Sequence, residues 1–225
     1  MKIPVVRKVL ESNERNARDL EVLFLENGLL VLNLMSSPGA GKTAFLERTL
    51  TALKDEFHMA VVEGDLQTSN DARRIAATGA AVIQINTQGA CHLSAGMVHA
   101  AVQELPLDDL DIVFIENVGN LVCPAEFQLG EDKRIALLSL PEGDDKPEKY
   151  PPMFAQSQVM ILNKLDLLPH LDFDLERARK GARLVNPDLA IFSLSAKTGE
   201  GIEPWYAWLR QAVHDKKAQN NAPGS

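Results

Sequence analysis

The sequence has few cysteines, no excess of positive charge and no long apolar run, and each shortage excludes a class of protein. Two cysteines in 225 residues cannot form the disulfide framework of a small secreted domain. The net charge of −8 argues against a nucleic-acid surface. No apolar run reaches transmembrane length, and residues 1–10 lack the apolar core of a secretion signal. We therefore expect a cytoplasmic protein that binds neither nucleic acid nor membrane.

Apolar strand patterns alternate with helical patterns along most of the chain, which predicts an α/β fold with a mostly parallel sheet covered on both faces. The length and the 45% of hydrophobic residues are sufficient for one well-buried core. We predict an N-terminal helix in residues 1–28, one domain over 29–215 and a frayed tail over 216–225. Residues 141–152 are rich in proline and polar side chains and are predicted to form a loop.

Residues 36–43 read Ser-Ser-Pro-Gly-Ala-Gly-Lys-Thr and separate an apolar strand from a predicted helix. Such a loop presents backbone N–H groups to phosphate oxygens at a helix N-terminus, where the helix dipole also favours anions. Lys42 would reach the β- and γ-phosphates, and the hydroxyl of Thr43 would bind Mg²⁺. A glycine-rich turn without a ligand is the alternative. The predicted phosphate-binding residues are Gly39, Ala40, Gly41, Lys42, Thr43 and Ala44.

The sequence Asn163-Lys164-Leu165-Asp166 follows a second apolar strand and indicates which base is bound. The carboxylate of Asp166 can accept hydrogen bonds from N1–H and the exocyclic amine of guanine, whereas adenine offers no such pair of donors. Asn163 would brace the loop, and the stem of Lys164 would cover the base. Ser195-Ala196-Lys197, at the end of a later strand, resembles the guanine-specificity loop of GTPases. The predicted nucleotide is GTP.

Two acidic residues at predicted strand ends are candidates for the magnesium site and the switches. Asp65 ends the second strand, and Glu116 ends the strand before Gly119. A carboxylate at either place suits Mg²⁺ beside Thr43, and the N–H of Gly119 can sense the γ-phosphate. Lys42 and Asp65 are the predicted catalytic residues, with Asp65 positioning the attacking water, and we expect slow intrinsic hydrolysis. The alternative is that both carboxylates only cap loops.

Cys91-His92 and Cys123 are the candidate ligands of a second metal. Thiolate and imidazole suit Zn²⁺ and Ni²⁺, and three such ligands leave one position for water or a partner. Free cysteines are also often small buried hydrophobic residues, so the pair alone is weak evidence. Cys123 follows Glu116 by seven residues, which favours a link between the two sites.

Several longer segments resemble the HypB family, the nickel-incorporation GTPases of [NiFe]-hydrogenase maturation. The most specific is Glu-Asn-Val-Gly-Asn-Leu-Val-Cys-Pro over residues 116–124, with similar segments at 63–65, 89–93 and 142–145. The serine at position 36 also matches the Ser-Ser-Pro-Gly start that is usual in this family. The resemblance covers residues 26–213.

This resemblance implies a three-layer P-loop fold of the signal-recognition-particle/MinD-like (SIMIBI) class and a GTP-dependent homodimer. It also implies a Zn²⁺ or Ni²⁺ site at the dimer interface, built from Cys91, His92 and Cys123. The implied partners are the HypA metallochaperone and the hydrogenase large subunit. On this basis we expect GTP and Mg²⁺ to order the loop after Glu116 and so bring Cys123 toward the other two ligands.

Two departures from the family qualify this comparison. Family members commonly read Cys-His-Leu-Asp-Ala-His, whereas this chain has Ser94 and Gly96 at the last aspartate and histidine, which predicts weaker metal affinity. No histidine-rich or cysteine-bearing N-terminal extension is present, so we expect neither nickel storage nor a second tight site. The alternatives are a related GTPase for urease or a cobalamin-dependent mutase, and a metal-binding scaffold with a vestigial nucleotide site.

Overall fold

The computed structural model describes residues 5–65 and 70–220, with side chains over 10–64 and 70–220. Within these residues all paired strands are parallel and form one sheet in the order β3-β2-β4-β1-β5-β6-β7. The strands are β1 (Leu30–Ser36), β2 (Met59–Asp65), β3 (Ala81–Asn86), β4 (Ile112–Glu116), β5 (Lys133–Ser139), β6 (Val159–Asn163) and β7 (Ala190–Ser193). The phosphate-loop strand β1 is therefore central, between β4 and β5.

Helices connect these strands and lie on both faces of the sheet. They are α1 (Val5–Glu26), α2 (Lys42–Leu53), α3 (Asn70–Ala76), α4 (Ala95–Val102), α5 (Cys123–Glu126), α6 (Lys146–Lys149), α7 (Pro151–Ala155), α8 (Leu175–Val185) and α9 (Glu203–Asn220). Three 3₁₀ turns lie at Leu107–Asp109, Leu140–Glu142 and Leu165–His170. In the described part of the chain, no helix combines the length and the apolar character needed to cross a membrane.

Successive side chains along each strand point to opposite faces of the sheet, so the core has two layers, one on each face. Leu32 of β1 packs with α2 and α9, whereas Val31 of the same strand packs with α1 and α4. The indole of Trp205 is fully buried in the first layer, 5.1 Å from the ring of Phe45, and donates to the hydroxyl of Thr49 at 3.1 Å. The three-layer α/β architecture predicted from the sequence is thus confirmed.

The structure differs from the predictions for residues 141–152 and for the C-terminal tail. Residues 141–152 are largely helical, since prolines occupy the first turns of Leu140–Glu142, α6 and α7, where a missing N–H breaks no helical hydrogen bond. Residues 216–220 are not a frayed tail, because α9 continues to Asn220. Lys216 is buried there and pairs with Asp132 at 2.6 Å. Residues 221–225 lie outside the described residues.

The contact between Lys216 and Asp132 predicts that the last turns of α9 stabilise the fold. We expect Lys216→Ala to lower the free energy of unfolding by about 1–3 kcal/mol, because a partly buried carboxylate loses its charged partner. The adjacent Lys217→Ala is the matched control. Lys217 also pairs with an acid, Asp111, at 2.6 Å, but its side chain is 53% exposed, so its loss should cost less than about 1 kcal/mol. Equal effects in urea denaturation would contradict the assignment.

Candidate functional site

The phosphate loop has the backbone geometry that its glycines allow. Gly39 and Gly41 have φ of 75° and 99°, in the left-handed region that favours glycine. A side chain at Gly41 would also meet the amide nitrogen of Asn163 at 2.6 Å. The helix α2 begins at Lys42, so the loop ends at a helix N-terminus that faces the predicted phosphates.

The two serines of this loop have roles that the sequence pattern did not reveal. The ammonium of Lys42 donates to the hydroxyl of Ser36 at 2.9 Å, which holds the lysine over the loop. The hydroxyl of Ser37 donates to the carboxylate of Glu142, whose other oxygen accepts from the backbone N–H of Ser139 at 2.8 Å. Serine in place of the usual glycine at position 36 therefore supplies an acceptor for Lys42.

The predicted guanine-binding residues lie together at the carboxyl ends of β6 and β7. The side chain of Asn163 donates to the carbonyl of Ala40 at 3.0 Å and accepts from the N–H of Ala196 at 2.9 Å. It thus joins the phosphate loop to the Ser-Ala-Lys loop. The hydroxyl of Ser195 donates to one carboxylate oxygen of Asp166 at 2.6 Å and fixes the orientation of that carboxylate.

Two basic side chains each donate hydrogen bonds to one of these two loops. Lys164, with a left-handed φ of 66°, donates to the carbonyl of Gly39 at 2.8 Å. Arg48 on α2 donates to the carbonyls of Ala196 at 2.5 Å and Lys197 at 2.7 Å. Arg48 was not predicted, because a lone arginine inside a helix carries no motif.

Glu116 is a buried carboxylate at the expected place for magnesium. Thr43 donates its hydroxyl to one oxygen of Glu116 at 3.0 Å. The other oxygen is buried and has no hydrogen-bond partner among the described residues. Burial raises the pKa of Glu116 to about 7, although Lys42 and Thr43 oppose the shift. A buried oxygen beside the Thr43 hydroxyl matches the ligands that Mg²⁺ prefers, so these residues fit the ion.

A second buried acid, Glu63, lies beside Glu116 and was missed by the sequence reasoning. The two residues are partners in the register of β2 and β4, and both line the cleft beside Lys42 and Thr43. Glu63 is 2% exposed. The signal was an acid ending an apolar run, the same signal that identified Glu116. The predicted catalytic Asp65 ends β2, but its side chain lies outside the described residues.

The loop after Glu116 touches the phosphate loop directly. A side chain at Gly119 would lie 2.9 Å from the backbone nitrogen and Cα of Pro38, so only glycine permits this approach. The backbone of Gly119 is therefore close to the loop expected to hold the γ-phosphate.

Cys91, His92 and Cys123 come together within one chain. Their ligand atoms all lie within 4.8 Å of one another, and the sulfur of Cys91 is 3.6 Å from Nδ1 of His92. Cys91 is exposed on the loop before α4, and Cys123 begins the short helix α5. The three ligands of the triad are therefore supplied by a single chain, and the expectation that GTP brings Cys123 toward the other two stays a prediction.

The surroundings of the triad favour a neutral imidazole. The ring of His92 stacks on Phe127 with centroids 3.7 Å apart. Burial lowers the pKa of His92, and the charge of Glu126 opposes this shift. The hydrogen bond with Cys91, burial and the charge of Cys91 raise the pKa of the Cys123 thiol. A metal bound here would have to displace the thiol proton.

Ser94 and Gly96, which replace the aspartate and histidine common in the family, have local structural roles. Ser94 is the N-cap of α4, and its hydroxyl accepts from the N–H of Met97 at 3.3 Å. A side chain at Gly96 would lie 3.1 Å from the amide nitrogen of Asn16 on α1. Weaker metal affinity caused by these residues stays a prediction.

Comparison with known proteins agrees with this geometry. The family model described as the CobW/HypB/UreG nucleotide-binding domain matches residues 30–193. The hydrogenase maturation factor HypB of Escherichia coli K12 is 55% identical over 201 residues, which are 89% of this chain and 69% of that protein. This chain belongs to the HypB family. The family's domain is that of P-loop GTPases.

Solved structures place the fold in the same family. HypB from Helicobacter pylori in complex with nickel has a TM-score of 0.86 and 40% identity, covering 95% of this chain and 99% of that one. HypB from Archaeoglobus fulgidus has a TM-score of 0.85 and 35% identity, covering 91% and 100%. The signal recognition particle receptor FtsY of Elizabethkingia anophelis, 16% identical with a TM-score of 0.51, covers 82% of this chain and 67% of that one and shares the fold alone. The predicted SIMIBI fold class is confirmed.

The raised pKa of Glu116 predicts a pH-dependent stability in the absence of Mg²⁺. The folded protein retains a proton up to about pH 7 that the unfolded chain releases near 4.5, so stability falls as pH rises through this range. Glutamine has no such proton to lose. We therefore expect the free energy of unfolding of Glu116→Gln, relative to that of wild type, to be about 1–2 kcal/mol higher at pH 8 than at pH 5.5. Urea denaturation with a metal chelator measures this difference. Glu104→Gln, at an exposed position, is the control. If the difference in free energy of unfolding between Glu116→Gln and wild type were the same at pH 5.5 and at pH 8, the burial argument would be contradicted.

The geometry around Asp166 predicts the base specificity. We expect Asp166→Asn to lower GTP affinity by about 100-fold or more, because the guanine N1–H and amine lose a shared acceptor. Affinity for xanthosine triphosphate should rise, since its C2 carbonyl can accept from the new amide. Competition binding with GTP, ATP and xanthosine triphosphate measures both effects, with the exposed Asp172→Asn as control. Retained GTP preference would exclude Asp166 as the specificity residue.

Proposed function

We propose that this protein is a GTP-hydrolysing metallochaperone that binds nickel or zinc and supplies nickel to a [NiFe]-hydrogenase during maturation. The observation that carries the proposal is the Cys91, His92 and Cys123 triad, with ligand atoms within 4.8 Å. Its third member, Cys123, follows the same strand, β4, that ends in Glu116. A H. pylori relative, 40% identical, has been solved in complex with nickel, which supports nickel as the cargo.

The nucleotide half of the proposal rests on the residues around the phosphate loop. Lys42 would bind the β- and γ-phosphates, and Thr43, Asp65 and Glu116 would hold Mg²⁺, directly or through water. Bound Mg²⁺ would neutralise charge on the phosphates. The proposed role of Asp65 is to position the attacking water. The intrinsic rate should be low, because the described residues that line the cleft beside Lys42 include no glutamine that could orient that water.

The exposed side of the triad supports an exchange of metal between proteins. Three ligands leave a position for a fourth, and the exposed sulfur of Cys91 is open to a second molecule. We propose that two copies meet here in a GTP-dependent homodimer, so that six ligands surround a two-fold axis. HypA is the proposed donor or helper, and the hydrogenase large subunit is the proposed recipient.

A urease is the second candidate for the recipient of the metal. A relative from Helicobacter hepaticus, 43% identical and covering 97% of this chain and 89% of that protein, is described as a hydrogenase/urease maturation factor. The two destinations share the same nucleotide and metal chemistry. Nickel transfer from the loaded protein to each apo-enzyme separately would distinguish them.

The decisive experiment is a nickel titration with GDP and with a non-hydrolysable GTP analogue, followed by the thiolate-to-nickel absorption band and the molecular mass. We expect a band that depends on the nucleotide and accompanies dimerisation. Cys91→Ala should remove the band, since nickel loses one of three ligands. His214→Ala, at a side chain that is 77% exposed, is the matched control and should change nothing.

Two outcomes would contradict the proposal. A wild-type protein without a thiolate band in either state would be a GTPase without this metal role. A band without any phosphate release from GTP would favour a metal-binding scaffold with a vestigial nucleotide site.

A further inference from the structure

A buried amide connects the nucleotide cleft to the first loop of the metal triad. Asn117 follows Glu116 directly and is 1% exposed. Its Oδ1 accepts from the N–H of Leu93 at 3.1 Å and from the N–H of Val118 at 3.0 Å. Leu93 is the residue after His92. The position of the His92 backbone is therefore tied to the end of β4.

The same amide is connected to the second loop of the triad, which carries Cys123, through a series of buried polar side chains. Nδ2 of Asn117 donates to Oδ1 of Asn33 at 3.2 Å, and Nδ2 of Asn33 donates to Oε1 of Glu131 at 3.1 Å. Glu131 pairs with Arg134 at 2.6 Å. Asn33 is fully buried, and the side chains of Glu131 and Arg134 are only 4% and 9% exposed.

Arg134 completes the connection on the side of Cys123. Its guanidinium donates to the carbonyl of Ala125 at 2.9 Å and to the carbonyl of Phe127 at 3.2 Å. Ala125 lies in the short helix that Cys123 begins, and the ring of Phe127 stacks on His92. Both metal-bearing loops are thus hydrogen-bonded, directly or in sequence, to Asn117.

Burial makes this chain of contacts sensitive to the position of Asn117. A buried donor or acceptor that loses its partner cannot turn to water, so the members of the chain must move together or stay unpaired. Asn117 also lines the nucleotide cleft, between Glu116 and the loop that contacts Pro38 through Gly119. If the end of β4 moved when GDP replaced GTP, the hydrogen bonds would therefore transmit that displacement to Leu93 and Phe127.

A second buried asparagine, Asn13, supports the two metal-bearing loops by hydrogen bonds that do not involve the end of β4. Asn13 on α1 is 6% exposed, donates to the carbonyl of Gln128 at 2.8 Å and accepts from the N–H of Ala95 at 2.8 Å. It joins the same two loops, but these two hydrogen bonds do not reach the end of β4. Asn13 is therefore a matched control for Asn117.

We propose that Asn117 is the positioning residue through which the nucleotide state changes metal affinity at the Cys91, His92 and Cys123 triad. This inference rests on the proposed function, in which both ligands bind. Asn117 acts through the loops and does not touch the metal itself. Asn13, by contrast, supports the triad equally in both nucleotide states.

The test compares the nickel dissociation constant with saturating GDP and with a saturating non-hydrolysable GTP analogue. We expect a ratio in wild type within the range of about 5- to 150-fold that is typical of coupled sites. In Asn117→Ala the ratio should fall below about threefold. Asn13→Ala should weaken nickel binding in both states and keep the wild-type ratio. Asn117→Ser repeats the test if the alanine variant does not fold, because a hydroxyl is too short to reach the Leu93 N–H.

The outcomes separate this inference from the proposed function. A wild-type ratio near one would overturn the coupling for every variant and with it this inference, whereas absence of any thiolate band would overturn the metal role itself. A coupled wild type whose ratio survives in Asn117→Ala or Asn117→Ser would overturn the role of Asn117 and leave the proposed function intact. A ratio lost equally in Asn13→Ala would show general loosening of the loops rather than transmission through Asn117.

Discussion

Parallel pairing of β1 with β4 is the constraint on which the rest of the site depends. Both strands end at the same edge of the sheet, so the helix that follows β1 places Thr43 within 3.0 Å of Glu116 at the end of β4. The same edge carries Asn163 at the end of β6, which reaches Ala40. An antiparallel pairing would send one of these ends to the opposite side. The chemistry therefore follows from strand direction before any particular side chain is chosen.

Burial at this edge gives each polar group a defined task. Asn33 lies between Leu32 and Leu34 in β1, and Asn117 directly follows β4; both are buried, so an unpaired amide at either place would cost free energy. Each amide both donates and accepts, and the hydrogen bonds link the two residues to each other and to the loops that contain Leu93 and Glu131. Such a network specifies one arrangement of the loops, because a shifted arrangement would leave several groups unpaired at once. A nonpolar core would hold the strands without holding the metal loops.

The fold could be predicted from the sequence and the motifs could be located in it, because both depend on periodicity and local spacing. The phosphate loop needs Gly39 and Gly41 at fixed positions before a helix, and that pattern is local. Contacts between distant segments could not be read in the same way. Nothing near Arg48 indicates that it binds the loop around Ala196, 148 residues later. The continuation of α9 through Lys216 likewise depends on Asp132, which is 84 residues earlier in the chain.

The nucleotide cleft and the metal triad have opposite requirements for water: the carboxylate in the cleft is buried, and the first ligand of the triad is exposed. Glu116 is buried, and a charge placed there interacts strongly with a bound cation and phosphate because water does not screen it. Cys91 is exposed, so a second protein can reach its sulfur, as the proposed transfer of nickel requires. One site cannot be both dry and open. A buried connection through Asn117, Asn33, Glu131 and Arg134 lets the two sites stay separate and still be linked by hydrogen bonds, which is the arrangement that the proposed coupling requires.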